Sequence, residues 1–314
     1  MLGRQPQVWD TWAELTLRRR VFRGMRPILQ ERNIWALLLL LTVSAAPGCA
    51  SLISNAATDL ADNLSRAMLN QDDPETVRAG MPSYLLLMDS FVEGSPDDPN
   101  MLGAAAKLYA SYGFVFAEDE VRASRLTSRA RRYGLKAMCE TYSASCDWRE
   151  MNYEDFIATL DGLTEQHAEV VYSYSFATLA YLDAHSSDWN ARAEFPQAEA
   201  LVKRYLEIAG DSAESAAHMY LGIILTLRPP ALGGKPEEAR IHFEKAIAMS
   251  AGRDLGAKIQ FAKAYAKLLY DRELHDQLVN EVLEASPYAD GLTLTNVLAQ
   301  EEALNMQAVA DDYF

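Results

Sequence analysis

Apolar residues recur every three or four positions along nearly all of the chain after residue 49, which is the spacing of amphipathic helices. Alternating β-branched runs, which are typical of strands, are scarce. Clusters of Pro, Gly, Asp and Ser interrupt the pattern and mark helix ends. The predicted helices cover residues 55–69, 73–91, 100–117, 120–139, 153–159, 165–183, 196–208, 213–227, 236–249, 256–269, 272–285 and 292–311. Such a succession predicts an all-α fold of antiparallel helical hairpins.

One helix pair, over residues 218–250, has the spacing of a tetratricopeptide repeat. In that motif small residues let two helices touch, and an aromatic ring fills the groove between them. The first helix matches with Leu-Gly and the second with Ala-x3-Phe-x2-Ala. The matching residues are Leu221, Gly222, Ala239, Phe243 and Ala246.

Two weaker copies suggest that the motif is repeated cryptically along an α-solenoid, a superhelical array of hairpins. Ala130-x3-Gly134-x2-Ala137 has the small-residue spacing without the aromatic, and the segment 274–283 followed by Pro287 resembles a degenerate helix ending. The alternative for these copies is a set of amphipathic helices that share spacing by chance.

Charge divides the chain near residue 49. The formal net charge is −15, whereas residues 1–49 hold seven arginines and three carboxylates and carry +4, so the remainder carries −19. An acidic body argues against nucleic acid and anionic lipid surfaces as partners. The basic head contains an apolar run at 34–46 that is too short to span a bilayer. We therefore predict a signal peptide over 1–48, with Met25 as an alternative start.

The apolar run ends in Ala46-Pro47-Gly48-Cys49, which resembles the bacterial lipobox, although Ala46 and Pro47 depart from its usual residues. Cys49 is therefore the predicted lipidation site, and Ala50 in place of an aspartate indicates the outer membrane. A single lipidated cysteine is a surface anchor, so the membrane is expected to be contacted through the lipid only. The alternative is an ordinary signal peptide with an incidental cysteine.

Two further cysteines, Cys139 and Cys146, lie close together near a predicted helix end. An oxidising periplasm permits a disulfide, and the seven-residue offset suits a short closed loop. The alternative is a pair of unpaired buried thiols.

The sequence contains no motif of known enzyme chemistry. None of the five histidines falls in HExxH or at metal-ligand spacing with a cysteine, and neither GxSxG nor a P-loop is present. His218 and His242 could approach each other across their hairpin, but a structural role is the favoured interpretation. We predict a protein that is not an enzyme and needs neither a metal nor a cofactor.

A dense group of aromatic residues lies in VVYSYSFATLAYLDAH. Helical spacing places Tyr174 and Tyr181 on one face and Tyr172 and Phe176 on another. A helix that is apolar on several faces is either central in a core or lines a cavity. Core packing and an apolar ligand cleft both remain open here.

Taken together, the chain from Cys49 to Phe314 resembles the TatT family, the T component of tripartite ATP-independent periplasmic (TRAP) transporters. The motifs that carry the resemblance are the lipobox-like Cys49, Pro230-x2-Gly233-Gly234, Ala239-x3-Phe243, Asn296-x2-Ala299-x3-Ala303 and Asp312-x-Phe314. The resemblance implies a single all-helical domain over 49–314 of a periplasmic lipoprotein that forms a homotrimer. It further implies an apolar cleft or pore in each protomer for a hydrophobic small molecule. The implied partner is the soluble TRAP substrate-binding protein, the P component.

The connection RPPALGGKP is longer than a helical hairpin requires. Pro229 and Pro230 stop the first helix, and Gly233 and Gly234 permit the positive φ of the return. The surplus, which includes Leu232, is predicted to line the ligand passage or to form a protomer contact. A rigid cap over the hairpin is the alternative.

Two rival functions remain open from the sequence. A tetratricopeptide-like scaffold could bind proteins at the outer membrane without any role in transport, and an unrecognised enzyme is the second rival. A P component that copurifies with the chain would favour transport.

Overall fold

The computed structural model describes residues 60, 63–117 and 119–314, with only the backbone described at Leu232. The predicted signal peptide over 1–48, the alternative start at Met25 and the lipidation site Cys49 lie outside the described residues. So does most of the first half of the predicted helix 55–69, whose remainder is helical over 63–69.

The described residues are predominantly helical and contain no strand, which confirms the predicted all-α class. After the segment 63–69, the helices are α1 (Pro74–Gly94), α2 (Pro99–Val115), α3 (Glu120–Thr141), α4 (Tyr153–Leu160), α5 (Ala168–Ala184), α6 (Trp189–Ala193), α7 (Phe195–Ala209), α8 (Ser215–Thr226), α9 (Pro236–Met249), α10 (Leu255–Gln260), α11 (Arg272–Glu284), α12 (Thr293–Ala308) and α13 (Ala310–Tyr313). The short helices α6 and α13 were not predicted as separate elements.

Aspartate side chains begin many of these helices. The Asp73 carboxylate, for example, accepts a hydrogen bond of 3.0 Å from the backbone N–H of Glu75. Such a cap satisfies an N–H group that the first helical turn leaves free, and it complements the helix dipole. The capping aspartates are Asp73, Asp98, Asp119, Asp188, Asp254 and Asp271. Part of the acidic composition therefore has a structural cause.

The predicted helix over 256–269 is not a continuous α-helix. α10 passes into a π-helical turn, Phe261–Ala266, in which the backbone N–H of Lys267 donates to the carbonyl of Ala262 at 3.2 Å. The chain then leaves through Tyr270, which has φ +54°. A π-helical turn accommodates one extra residue, and such turns are frequent at functional sites.

Close backbone approach joins α3 to α5. A Cβ on Gly134 would lie 3.1 Å from the Cα of Tyr174, and the flanking Ala130 and Ala137 are fully buried. Small residues at this spacing let the two helices pack without an intervening side chain. The spacing noticed in the sequence therefore corresponds to a helix contact.

The α8–α9 pair shows the same principle with an aromatic ring. Phe243 is fully buried, as are Ala239 and Ala246, and its ring occupies the space beside Gly222. A Cβ on Gly222 would lie 2.8 Å from that ring. The groove is therefore filled by Phe243 because residue 222 has no side chain.

The connection between α8 and α9 is fixed by its own backbone. The N–H of Lys235 donates to the carbonyl of Leu225 at 2.9 Å, and the N–H of Gly234 donates to that of Pro229 at 3.1 Å. A Cβ on Gly234 would lie 1.8 Å from the carbonyl oxygen of Arg228, whereas Gly233 has φ +90°. The two glycines are thus required for different reasons, close approach and positive φ.

The two ends of the described chain meet. The Asn70 side chain donates to Asp290 at 2.9 Å and accepts from the backbone N–H of Gly291 at 2.6 Å. Leu294 of α12 packs in the same apolar cluster as Val77 of α1. The succession of packed helices therefore returns to its beginning.

A disulfide joins Cys139 at the end of α3 to Cys146, with their Cα atoms 4.6 Å apart. It encloses the 3₁₀ turn Ser143–Ser145. The turn reverses the chain before Trp148, which is almost fully buried. The bridge thus restrains the segment that leads from α3 to the core.

Candidate functional site

The aromatic residues of α5 face two different environments. Tyr174 is 3% exposed and packs on Trp148, with ring centroids 5.7 Å apart. Tyr181 stacks on His185 at 4.0 Å, and the guanidinium of Arg131 lies 4.5 Å above its ring. These two tyrosines hold α5 to its neighbours, which is the core-packing role.

Tyr172 and Phe176 lie on the other face and pair with rings from later helices. Phe176 stacks on Tyr220 of α8, with centroids 5.6 Å apart and planes 9° apart, and Tyr172 lies 5.2 Å from the ring of Tyr205 on α7. Tyr172, Phe176 and Tyr220 all keep part of their surface accessible. We call these three residues the interior aromatic surface.

The hydroxyl groups of this surface lie deep among protein atoms. Burial raises the pKa of Tyr172 and of Tyr220 well above the ordinary value, and the two hydroxyl groups interact with each other. Apolar rings with a few polar groups are the usual lining of a small-molecule site.

A cleft of about 360 Å³ lies further along α8. Ile223, which is three residues and so about one helical turn after Tyr220, forms part of its wall together with Leu227. The opposite wall includes Lys263 and Ala264 of the π-helical turn. The interior aromatic surface and the cleft are therefore adjacent along one helix.

The predicted site residues of the α8–α9 connection lie elsewhere. Gly233 is exposed and has open space around its Cα, and neither Gly233 nor Gly234 is among the residues that line the cleft. The side chain of Leu232 lies outside the described part of the structure. Leu227, just before the connection, is the residue that reaches the cleft.

Tyr220 is a candidate residue that sequence reasoning missed. It directly precedes Leu221-Gly222, which drew attention only for its match to a repeat. Gly222 faces Phe243, so its neighbour Tyr220 projects in another direction and meets Phe176. The sequence signal that could have identified Tyr220 was an aromatic residue two positions before Gly222, the glycine at the helix contact.

His218 and His242 do approach each other, as the sequence suggested. Their Nδ1 atoms are 2.8 Å apart and their rings are stacked. This contact needs one N–H and one lone pair, so at least the accepting ring is neutral in it. Burial and the charges of His242 and Lys245 lower the pKa of His218 to about 4.

This pair is expected to make stability depend on pH. The unfolded chain takes up a proton at His218 near pH 6.5, while the folded chain does so only near pH 4. The unfolded state binds more protons in this interval, so the free energy of unfolding falls as the pH is lowered, by at most about 3 kcal/mol. Urea unfolding at pH 7 and pH 4.5 measures the fall, which we expect to be about 2 kcal/mol smaller in His218→Gln.

The groups around the second ring act in opposite directions. Burial lowers the pKa of His242, the carboxylate of Glu238 raises it, and Lys203 and Lys245 lower it.

Equal pH dependence of the free energy of unfolding in the wild type and in His218→Gln would contradict the assignment of the pH effect to the His218–His242 pair.

The described residues contain neither a metal-binding cluster nor a membrane-spanning helix. Within 63–117 and 119–314, no group of three or more His, Cys, Asp or Glu residues could hold a metal ion. Over the same ranges, no helix combines the length and apolar character needed to cross a bilayer.

These features define an all-helical protein whose packed hairpins surround partly accessible aromatic rings. The family model of the TRAP transporter T-component matches residues 70–314, and the chain belongs to this family. The resemblance to TatT seen in the sequence is confirmed. No curated protein matches the chain. Membership associates the protein with TRAP transport as an accessory component on the periplasmic side.

Proposed function

We propose that this T component binds the apolar part of a transported ligand at the interior aromatic surface and docks a TRAP substrate-binding protein. The observation that carries the proposal is the stacking of Phe176 on Tyr220 while both rings remain partly accessible. A ligand would pass between the partner's cleft and these rings, and no covalent bond would be made or broken. The protein would therefore act by binding alone.

The assembly we propose is a homotrimer that is anchored through lipidated Cys49 and in which each protomer presents one passage. Large apolar side chains such as Leu86 and Trp189 are about three-quarters exposed, and protomer contacts would cover surface of this kind. The disulfide between Cys139 and Cys146 supports an oxidising compartment. A lipid anchor in the outer membrane would raise the local concentration of the component.

Replacing Phe176 by alanine is expected to weaken binding of an apolar probe about tenfold, because one side of the stacked ring pair is lost. Fluorescence titration of the full chain with N-phenyl-1-naphthylamine, a neutral apolar probe, measures this. The matched control is Phe114→Ala, which removes a half-exposed phenylalanine from α2. Thermal melting of both variants verifies that each is folded.

Failure of the wild type to bind the probe, or equal loss of probe affinity in the Phe176→Ala and Phe114→Ala variants, would refute the binding role.

Native mass spectrometry of the detergent-extracted chain, mixed with its P component, tests the proposed trimer, its acylation and its docking of the P component. The expected species is an acylated trimer with the P component bound. An unacylated monomer that does not bind the P component would contradict the proposed assembly.

A further inference from the structure

The cleft beside α8 has one apolar wall and one basic wall. Ile223 and Thr226 come from α8 and Leu227 directly follows that helix, whereas Lys263 belongs to the π-helical turn and Lys267 directly follows that turn. A π-helical turn holds one more residue than an α-helical turn. The direction of the Lys267 side chain around the helix axis therefore depends on this turn.

The two lysines differ in how their charges are compensated. Lys263 forms an ion pair of 2.7 Å with Glu302. The Lys267 ammonium lies 4.2 Å from the ring centroid of Tyr313, and within the described chain it forms no ion pair with a carboxylate. The Lys267 ammonium is therefore a cation in a cleft with no carboxylate partner among the described residues.

The cleft lies next to the interior aromatic surface along α8. On α8, Ile223 follows Tyr220 by about one turn. An elongated molecule could therefore contact the rings at one end and the lysines at the other.

We propose that the cleft binds the single anionic head group of an amphipathic ligand, with Lys267 and Lys263 as its counter-charges. The apolar body of the ligand extends past Ile223 to the interior aromatic surface, and this part rests on the proposed function. Tyr313 of α13 covers the head group from the side, because its hydroxyl donates to the carbonyl of Lys267 at 3.0 Å. Neutral and cationic analogues gain no such charge pairing and bind more weakly.

Calorimetric titration of the full chain with decanoate, decyl phosphate, decanol and decyltrimethylammonium tests the site. We expect at least one anionic probe to bind about tenfold more tightly than decanol, which corresponds to about 1.4 kcal/mol. Lys267→Met, which keeps the alkyl stem and removes the charge, is expected to abolish this preference while decanol binding is unchanged. Lys263→Met is a second variant, and Lys245→Met on exposed α9 surface is the charge-matched control.

The outcomes separate the head-group site from the proposed function. Equal binding of decanol and both anionic probes by the wild type overturns the head-group site and leaves the aromatic surface supported. A preference that survives in Lys267→Met and Lys263→Met, or that is lost equally in Lys245→Met, also overturns the site. Failure of all four probes to bind refutes the proposed function and this inference with it. Comparison of decanoate with decyl phosphate identifies the head group.

Discussion

Replacing Phe243 by alanine is expected to lower the free energy of unfolding by about 4 kcal/mol. The Phe243 ring is fully buried and stacks on Phe261 with centroids 5.1 Å apart. It also fills the space beside Gly222, where no side chain can replace it. Truncation therefore removes apolar burial and leaves a cavity between α8 and α9.

Urea unfolding followed by circular dichroism measures this loss. The matched control is Ile241→Ala on the same helix, because Ile241 is 63% exposed and its truncation should change stability by less than about 0.5 kcal/mol. Similar losses in the two variants would show that Phe243 does not hold the pair together.

Gly222 provides a second measure of the same contact. Gly222→Ala alone is expected to destabilise the protein, because the new Cβ would lie 2.8 Å from the Phe243 ring. In the Phe243→Ala background the added methyl group enters vacated space, so its cost should largely disappear. Additive losses would contradict direct contact between the two positions.

Replacing Arg131 by methionine is expected to lower the free energy of unfolding by about 3 kcal/mol. The buried guanidinium of Arg131 forms an ion pair with Glu194, at the start of α7, and lies over the ring of Tyr181. It thereby joins α3 to α5 and α7. Methionine retains the apolar stem but removes the charge, the hydrogen bonds and the cation–π contact.

The neighbouring Arg132 provides the control, since it is exposed on the same helix and Arg132→Met should be nearly neutral. Glu194→Gln is expected to be costly alone, because it leaves the buried arginine without a counter-charge, and nearly neutral when Arg131 is already methionine. Urea unfolding of the four combinations gives the coupling free energy. A coupling near zero would contradict a structural ion pair.

The helices were predictable because burying one side of a helix repeats an apolar residue every three or four positions. Prolines and capping aspartates marked the ends, so α9 began at Pro236 and ended at Met249 as predicted. The one-residue register change of the π-helical turn was not predictable, since the apolar spacing around Phe261 reads as ordinary helix. The break at Val309, which separates α12 from α13, was missed for a similar reason.

The sequence predicted only part of the candidate site, namely Tyr172 and Phe176 but not Tyr220. Spacing along α5 separated Tyr172 and Phe176 from Tyr174, but it left open which face was core. The structure places Tyr174 in the core and Phe176 against Tyr220. The ring partner is 44 positions away in the chain, and no local pattern links the two.

The sequence by itself determined the all-helical class, most helix boundaries and the family, and it suggested that His218 could approach His242. Each of these depends on local spacing or on a motif that occupies one hairpin. Only the tertiary structure decided which rings share a surface, that Arg131 pairs with Glu194, and that Lys263 and Lys267 line one cleft with α8. These contacts join residues from separate hairpins, and their positions depend on how the helices pack, which the periodicity of any single helix does not specify.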